Sequence, residues 1–159
     1  MGTGTLSTKT YSDKQEKCIA NALGWTQVSG SGARPTRPGD VISTEFLGEC
    51  KTHVSKVTKL EFKYDVWLKI KDEAASQFKH PILFVDDGTQ KLSKTWCMFD
   101  VLPGRDYTML DYPKKVAKNI SFEPELIFNP NYDTPILFQV SKFNSYISTF
   151  YDFQELFGD

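Results

Sequence analysis

The chain has 159 residues, of which 40% are hydrophobic and 14% aromatic, so it can bury a core in one domain and is not of the disordered class. The formal net charge of −1 lacks the basic excess typical of nucleic-acid-binding proteins. No apolar run reaches the roughly 18 residues of a membrane span, and the polar N-terminus does not resemble a signal peptide. We therefore expect a cytoplasmic protein without a membrane partner.

The cysteines and histidines exclude two kinds of site. Three widely spaced cysteines, with no Cys-x-x-Cys pair, favour neither a disulfide framework nor a cysteine zinc site. Two histidines are too few for a histidine-rich metal centre. A divalent cation held by oxygen ligands remains open.

The N-terminal part is expected to contain a tail, a helix and a loop. Residues 1–11 are rich in Gly, Thr and Ser and predict a flexible tail, followed by a single domain over residues 12–159. A helix is expected from Ser12 to Trp25, with Ser12 and Gln15 forming a capping box and Gly24 ending the helix. The segment Val28–Gly39 is expected to be a loop.

The remaining segments alternate between strand and helix patterns. Strands are predicted at Asp40–Ser43, Phe46–Lys51, Val57–Phe62, Pro81–Asp86, Trp96–Leu102 and Pro135–Val140. Helices are predicted at Asp65–Phe78, with Val66, Trp67, Ile70, Ala74 and Phe78 on its apolar side, and at Ser145–Phe157. Residues 103–130 show no clear period. This order predicts an α/β domain with a mixed central sheet flanked by helices.

Charge is distributed unevenly along the chain. Residues 33–71 contain eight lysines and arginines, whereas residues 121–159 contain one lysine, Lys142, and six acidic residues. The basic segment could face phosphates while the acidic segment faces water or a partner. Two ordinary solvated faces would explain the same pattern.

The segment from Asp40 to Lys51 carries the most specific chemical signal. Residues two apart on a strand share a face, so Glu49 and Lys51 project together with Leu47, while Cys50 points to the other face and is expected to be buried. Asp40 begins the preceding strand. Two carboxylates and one lysine suit metal-dependent hydrolysis of a phosphodiester, although Glu49 and Lys51 could also be an exposed ion pair. A second Glu-x-Lys, Glu61 to Lys63, has no upstream acid.

The order of these motifs resembles the PD-(D/E)xK nuclease superfamily. A helix with a glutamate precedes Ser-Gly-Ser-Gly, Pro-Gly-Asp40, Glu49-Cys-Lys51, a long helix and an apolar strand. The resemblance covers about Gln15 to Asp86 and is greatest to Holliday junction resolvases of archaeal and phage type. It implies a restriction-endonuclease-like fold, and the host cytoplasm if a phage encodes the chain. The family pattern has Pro directly before the Asp, whereas here Gly39 intervenes.

The resemblance also implies roles for individual residues. Asp40, Glu49 and the main-chain carbonyl of Cys50 would hold Mg²⁺, which Mn²⁺ could replace, and Lys51 would be the catalytic lysine. Glu16 would be a further acidic residue near the metal, or else an ordinary solvated helix residue. The expected DNA-binding residues are Ser29, Ser31, Arg34, Arg37, Thr52 and Lys56. The loop among them could equally be a surface loop without a partner.

Three functions remain open at this stage. The first is a homodimeric endonuclease selective for branched DNA, because a two-fold dimer presents two active sites to a two-fold junction. The second is a nicking, recombination or restriction-type nuclease acting on linear or single-stranded DNA. The third is a non-catalytic DNA- or protein-binding module on a nuclease-like fold.

Overall fold

The structure is a computed structural model that describes residues 8–28, 39–128 and 132–158. Helix α1 spans Thr8–Leu23 and ends at Gly24, whose φ of 72° is the left-handed conformation that favours glycine after a helix. The prediction that α1 ends at Gly24 is confirmed. The predicted capping box is wrong, because the helix begins four residues before Ser12. Gln15 instead turns inward and is buried.

One eight-stranded sheet forms the centre of the molecule. Its strands are β1 (Thr26–Gln27), β2 (Val41–Ile42), β3 (Phe46–Lys51), β5 (His80–Asp86), β6 (Thr95–Phe99), β7 (Thr108–Asp111), β9 (Ile136–Val140) and β10 (Ser145–Thr149). They lie in the order β1-β2-β3-β5-β6-β10-β9-β7. The pairs β3–β5 and β7–β9 are parallel and the others antiparallel, so the sheet is mixed. Strands β4 (Leu60–Phe62) and β8 (Ile120–Phe122) form a separate antiparallel ribbon.

Three further helices complete the layers: α2 (Tyr64–Ser76), α3 (Pro124–Ile127) and α4 (Phe150–Phe157). Helices α1 and α4 pack on one face of the sheet, where a core includes Ile19, Phe84 and Phe153. Helix α2 and the β4–β8 ribbon cover the other face, where a core includes Trp67 and Leu83. The predicted α/β class, with a mixed sheet between helices, is confirmed.

The predictions for the C-terminal half need correction. Residues 145–157 are not one helix, because Ser145–Thr149 pairs between β6 and β9 and only the rest is helical. The Thr149 side chain accepts a hydrogen bond from the Asp152 N–H and so caps α4. The unassigned residues 103–130 contain β7, β8 and α3. Strand partners distant in sequence determine these elements, and local periodicity does not report them.

Three smaller expectations also differ from the structure. Phe78 is 97% exposed, since α2 ends at Ser76 and Phe78 adopts a φ of 58° that turns the chain out of the helix. The strand predicted at Val57–Phe62 begins only at Leu60, and the strand predicted to end at Leu102 ends at Phe99. Within the described ranges, no helix combines the length and apolarity that crossing a bilayer requires.

Candidate active site

The β2–β3 hairpin brings Asp40 beside Glu49. Val41 pairs with Gly48 in this antiparallel hairpin, so one step further along the register Asp40 lies opposite Glu49. Two hydrogen bonds hold Asp40 there: its N–H donates to the Gly48 carbonyl at 2.7 Å, and its Oδ2 accepts from the Cys50 N–H at 2.8 Å. The sequence signal of an acid before one strand and a Glu-x-Lys in the next thus corresponds to one cluster.

Gly39 sets the direction in which the chain enters this hairpin. Its φ of 77° lies in the left-handed region, and a Cβ on it would come within 2.6 Å of the Leu47 side chain. Any other residue would combine backbone strain with a clash against a buried leucine. This chain therefore requires glycine at position 39, where the family pattern has proline before the aspartate.

The carboxyl groups of Asp40 and Glu49 lie beside each other and interact directly. Burial raises the pKa of Glu49 to about 7, with the Asp40 carboxylate adding to the rise and Lys51 opposing it. Burial also raises the pKa of Asp40, while the bond from the Cys50 N–H lowers it. Two desolvated acids in contact cannot both be charged at low cost unless a cation joins them.

Lys51 completes the triad from the same strand. Its Nζ lies 3.5 Å from Glu49 Oε2, and 53% of its side chain is exposed against 15% of the Glu49 side chain. Leu47 belongs to the core under α2, which places Glu49 and Lys51 on that face of the sheet, as predicted. An ordinary surface ion pair requires neither a buried glutamate nor a second carboxyl group in contact with it.

Glu16 approaches the same cluster from α1. Only 7% of the residue is exposed, so the alternative of a solvated helix residue is wrong. Burial raises its pKa to about 7; the hydrogen bond from Gln27 Nε2, at 3.3 Å, works against this, while the charges of Asp13 and Glu49 add to it. Glu16 is thus close enough to interact electrostatically with the metal-ligand candidates.

Gln15 and Asp86 support the cluster, and neither was among the predicted site residues. Gln15 Nε2 donates to the Lys51 carbonyl at 2.8 Å and lies 3.4 Å from Asp86 Oδ1. Asp86 is fully buried at the end of β5, and its Oδ2 accepts from the Gln90 N–H at 2.7 Å. Gln15 thereby joins α1 to the carboxyl ends of two parallel strands. A charged residue ending an otherwise apolar strand was the available sequence signal for Asp86.

Cys50 contributes its main chain to the cluster. Its side chain is buried, as expected, and complete burial raises the pKa of the thiol well above its ordinary range. The thiol therefore stays protonated and is a poor nucleophile. Its N–H already binds Asp40, and its carbonyl belongs to the segment between Glu49 and Lys51.

The donor set fits a hard divalent cation. The carboxylates of Asp40 and Glu49 are the oxygen ligands that Mg²⁺ and Mn²⁺ prefer, and their mutual repulsion when both are charged is what a cation relieves. Among the described residues, no three His, Cys, Asp or Glu side chains form a group that could hold a metal ion. A cation here would therefore use the two carboxylates together with main-chain or water oxygens.

Two of the six expected DNA-binding residues, Thr52 and Lys56, lie within the described residues. Ser29, Ser31, Arg34 and Arg37 lie outside the described residues. Thr52 is half-buried directly after Lys51 and lines a cleft with it. Lys56 is exposed and borders a separate depression that also includes Asp87.

Comparisons of this chain with protein-family models, with curated proteins and with solved structures give no significant match. The resemblance to junction resolvases therefore rests on the residues themselves and stays a prediction.

Proposed function

We propose that this protein is a metal-dependent endonuclease that hydrolyses phosphodiester bonds in DNA. The observation that carries the proposal is the contact of the Asp40 and Glu49 carboxyl groups, with Lys51 Nζ 3.5 Å from Glu49. Perturbed, partly exposed acids beside a lysine are typical of catalytic sites rather than of structural ion pairs.

The side chains would divide the work as follows. Asp40 and Glu49 would hold Mg²⁺ or Mn²⁺, which supplies Lewis-acid polarisation of the phosphate and lowers the pKa of water. Lys51, half-exposed on the same face, would orient the attacking water and offset the charge that develops on the phosphate oxygens. Glu16, with a pKa near 7, can exchange a proton at neutral pH beside this cluster.

The substrate we propose is branched DNA, cut by a homodimer. Paired nicks in a four-way junction require two symmetric active sites, which a two-fold dimer supplies. The basis is the motif order from Glu16 to Lys51. General nicking, recombination or restriction-type cleavage would use the same residues. Cleavage rates on branched, linear and single-stranded DNA therefore distinguish these substrates.

The test is cleavage of a labelled four-way junction, a linear duplex of the same sequence and a single strand, with and without Mg²⁺. Glu49→Gln and Lys51→Ala should each reduce cleavage at least 100-fold, since each removes a group that acts at the phosphate. Glu45→Gln and Lys114→Ala change exposed residues of the same types and should leave cleavage unchanged. Retained cleavage in both site variants would refute the site assignment.

Metal binding provides an independent readout. Mg²⁺ or Mn²⁺ should raise the melting temperature of the wild-type protein by mass action, and Glu49→Gln should remove the effect. Cleavage of all substrates at equal rates would retain the nuclease and reject junction selectivity. DNA binding without cleavage and without a metal-dependent shift would identify a non-catalytic binding module.

A further inference from the structure

A cleft of about 300 Å³ opens beside Lys51, on the face of the sheet covered by α2. Its apolar lining comes from Val66 on α2 and from Leu83 and Val85 on β5. In the parallel register, Leu83 lies beside Glu49 and Val85 beside Lys51. The cleft is therefore continuous with the proposed active site.

The polar part of the lining comes from five residues: Lys51, Thr52, His53, Glu61 and Lys63. Lys63 is exposed and takes part in none of the three ion pairs found among the described residues. It is a cation available to a ligand. Both charged residues of the second Glu-x-Lys thus line the cleft together with Lys51 of the first.

The combination of apolar and polar lining specifies the ligand chemistry. The aliphatic side chains suit the flat face of an aromatic base, and the imidazole and carboxylate groups of His53 and Glu61 can bind its edge. The two lysines suit the phosphate of the same nucleotide. A free phosphate would leave the apolar lining unused. The volume is at the lower end of the roughly 300–1,000 Å³ of small-molecule sites, enough for one nucleotide and not for a duplex.

We propose that this cleft binds a single unstacked nucleotide next to the phosphate that is cut. The inference rests on the proposed nuclease function and deepens it by naming a specificity site. Removing a base from a duplex costs stacking and pairing energy, and an unpaired base has less to lose. The cleft would thereby favour branch points and single-stranded positions over continuous duplex without reading sequence.

Direct binding tests the cleft without requiring catalysis. In a metal-free NMR titration of the full chain, thymidine 5′-monophosphate should shift the signals of Thr52, His53 and Val66. Thymidine alone should bind more weakly, and inorganic phosphate should leave the Val66 methyl groups unchanged. Equal effects of phosphate and nucleotide, or shifts outside the cleft only, would overturn the proposal.

Two variants make the test specific. Val66→Phe should fill the cleft and weaken nucleotide binding at least tenfold, while Leu68→Phe adds the same ring at an exposed site of α2 and should not. Lys63→Glu changes an exposed residue without endangering the fold and should weaken binding of the nucleotide but not of thymidine. Unchanged binding in both cleft variants would refute the site.

Cleavage assays then separate the two proposals. Val66→Phe should cut a branched substrate with an abasic site beside the scissile phosphate as fast as the wild type does, and should cut the intact substrate at least tenfold more slowly. If the rate of Val66→Phe relative to the wild type is the same on both substrates, the cleft is rejected as a nucleotide site and the nuclease is kept. If the wild type cuts neither substrate but binds the nucleotide, the nuclease proposal fails and the cleft remains.

Discussion

At the scale of single residues, the acidic cluster lowers the stability of the fold, because it desolvates three carboxyl groups together. Glu16 and Glu49 are buried enough that their pKa values rise to about 7, and Asp40 is raised as well. A fold without a ligand to bind gains nothing from desolvating three acids together. Such clusters are found mostly where binding or catalysis needs them.

The raised pKa values predict how stability depends on pH. An acid whose pKa rises from 4.5 unfolded to about 7 folded binds its proton more tightly in the folded state. Between these values the free energy of unfolding should therefore fall as pH increases, by on the order of 1–3 kcal/mol. Urea denaturation at pH 5 and pH 8 measures this, and Glu49→Gln should be less pH-dependent. Greater wild-type stability at pH 8 would contradict the prediction.

Gly39 allows a second prediction at this scale. Gly39→Ala places a side chain at positive φ and against Leu47, and should lower the free energy of unfolding by about 1–3 kcal/mol. Because Asp40 follows directly, metal-dependent stabilisation should weaken too. Gly104→Ala is the matched control, since an added Cβ there meets nothing within 4 Å. Chemical denaturation measures the free energy of unfolding of both variants. Equal losses would show that position 39 has no particular requirement for glycine.

At the scale of elements, the site is the meeting point of a hairpin, two parallel strands and one helix. The β2–β3 register joins Asp40 to Glu49, and the parallel pairing of β3 with β5 brings Asp86 near the end of β3. Helix α1 is held to both strand ends through Gln15. The position of Glu16 therefore depends on the hydrogen bonds of its neighbour Gln15.

Gln15→Ala tests this attachment. It leaves the Lys51 carbonyl without its donor and removes a partner of buried Asp86, so the free energy of unfolding should fall by about 1–3 kcal/mol. Lys17→Ala, at an exposed position of the same helix, should change it little. Urea denaturation compares the two variants. If Gln15→Ala is as stable as the control, α1 is held by its apolar contacts alone.

At the scale of the whole molecule, exposed lysines lie on the face of the sheet that carries the proposed site. The basic segment supplies β3, β4 and most of α2, with exposed Lys59, Lys63 and Lys69 on the face that carries Glu49. The acidic C-terminal segment is divided: α4 packs on the opposite face, whereas β8 and α3 lie on the same face as α2. A net charge of −1 does not report where these lysines lie, so the overall charge is a poor guide to phosphate binding here.

The exposed lysines on this face predict a salt-dependent interaction with DNA. The logarithm of the association constant should fall linearly with the logarithm of salt concentration, through counterion release. Lys63→Ala should reduce that slope by about 1, as loss of one phosphate contact does. Lys114→Ala removes an exposed lysine beside β9, near the far edge of the sheet, and should not. Anisotropy titrations from 50 to 200 mM salt would check this; equal slopes would place the DNA elsewhere.

Predictability from sequence differed between the two halves of the chain. Strand β3 has the predicted bounds, because four of its first five residues are buried and the charged, exposed Lys51 ends it. The sequence predicts a helix where strand β10 lies, because the aromatic and β-branched residues of this strand fit both periods over a short window. Its partners β6 and β9 begin 50 and 9 residues earlier, and only their pairing distinguishes the two structures.

The sequence alone establishes which residues share a face, since period-two alternation places Glu49 and Lys51 together wherever β3 lies. The contact of Asp40 with Glu49, the burial of Glu16, the Gln15–Asp86 support and the cleft beside Lys51 follow from the tertiary structure. The physical reason is that desolvation and non-local hydrogen bonds depend on what packs against a residue from elsewhere in the chain. A local pattern records which groups are present and their spacing, whereas their pKa values and partners are set by the surrounding fold.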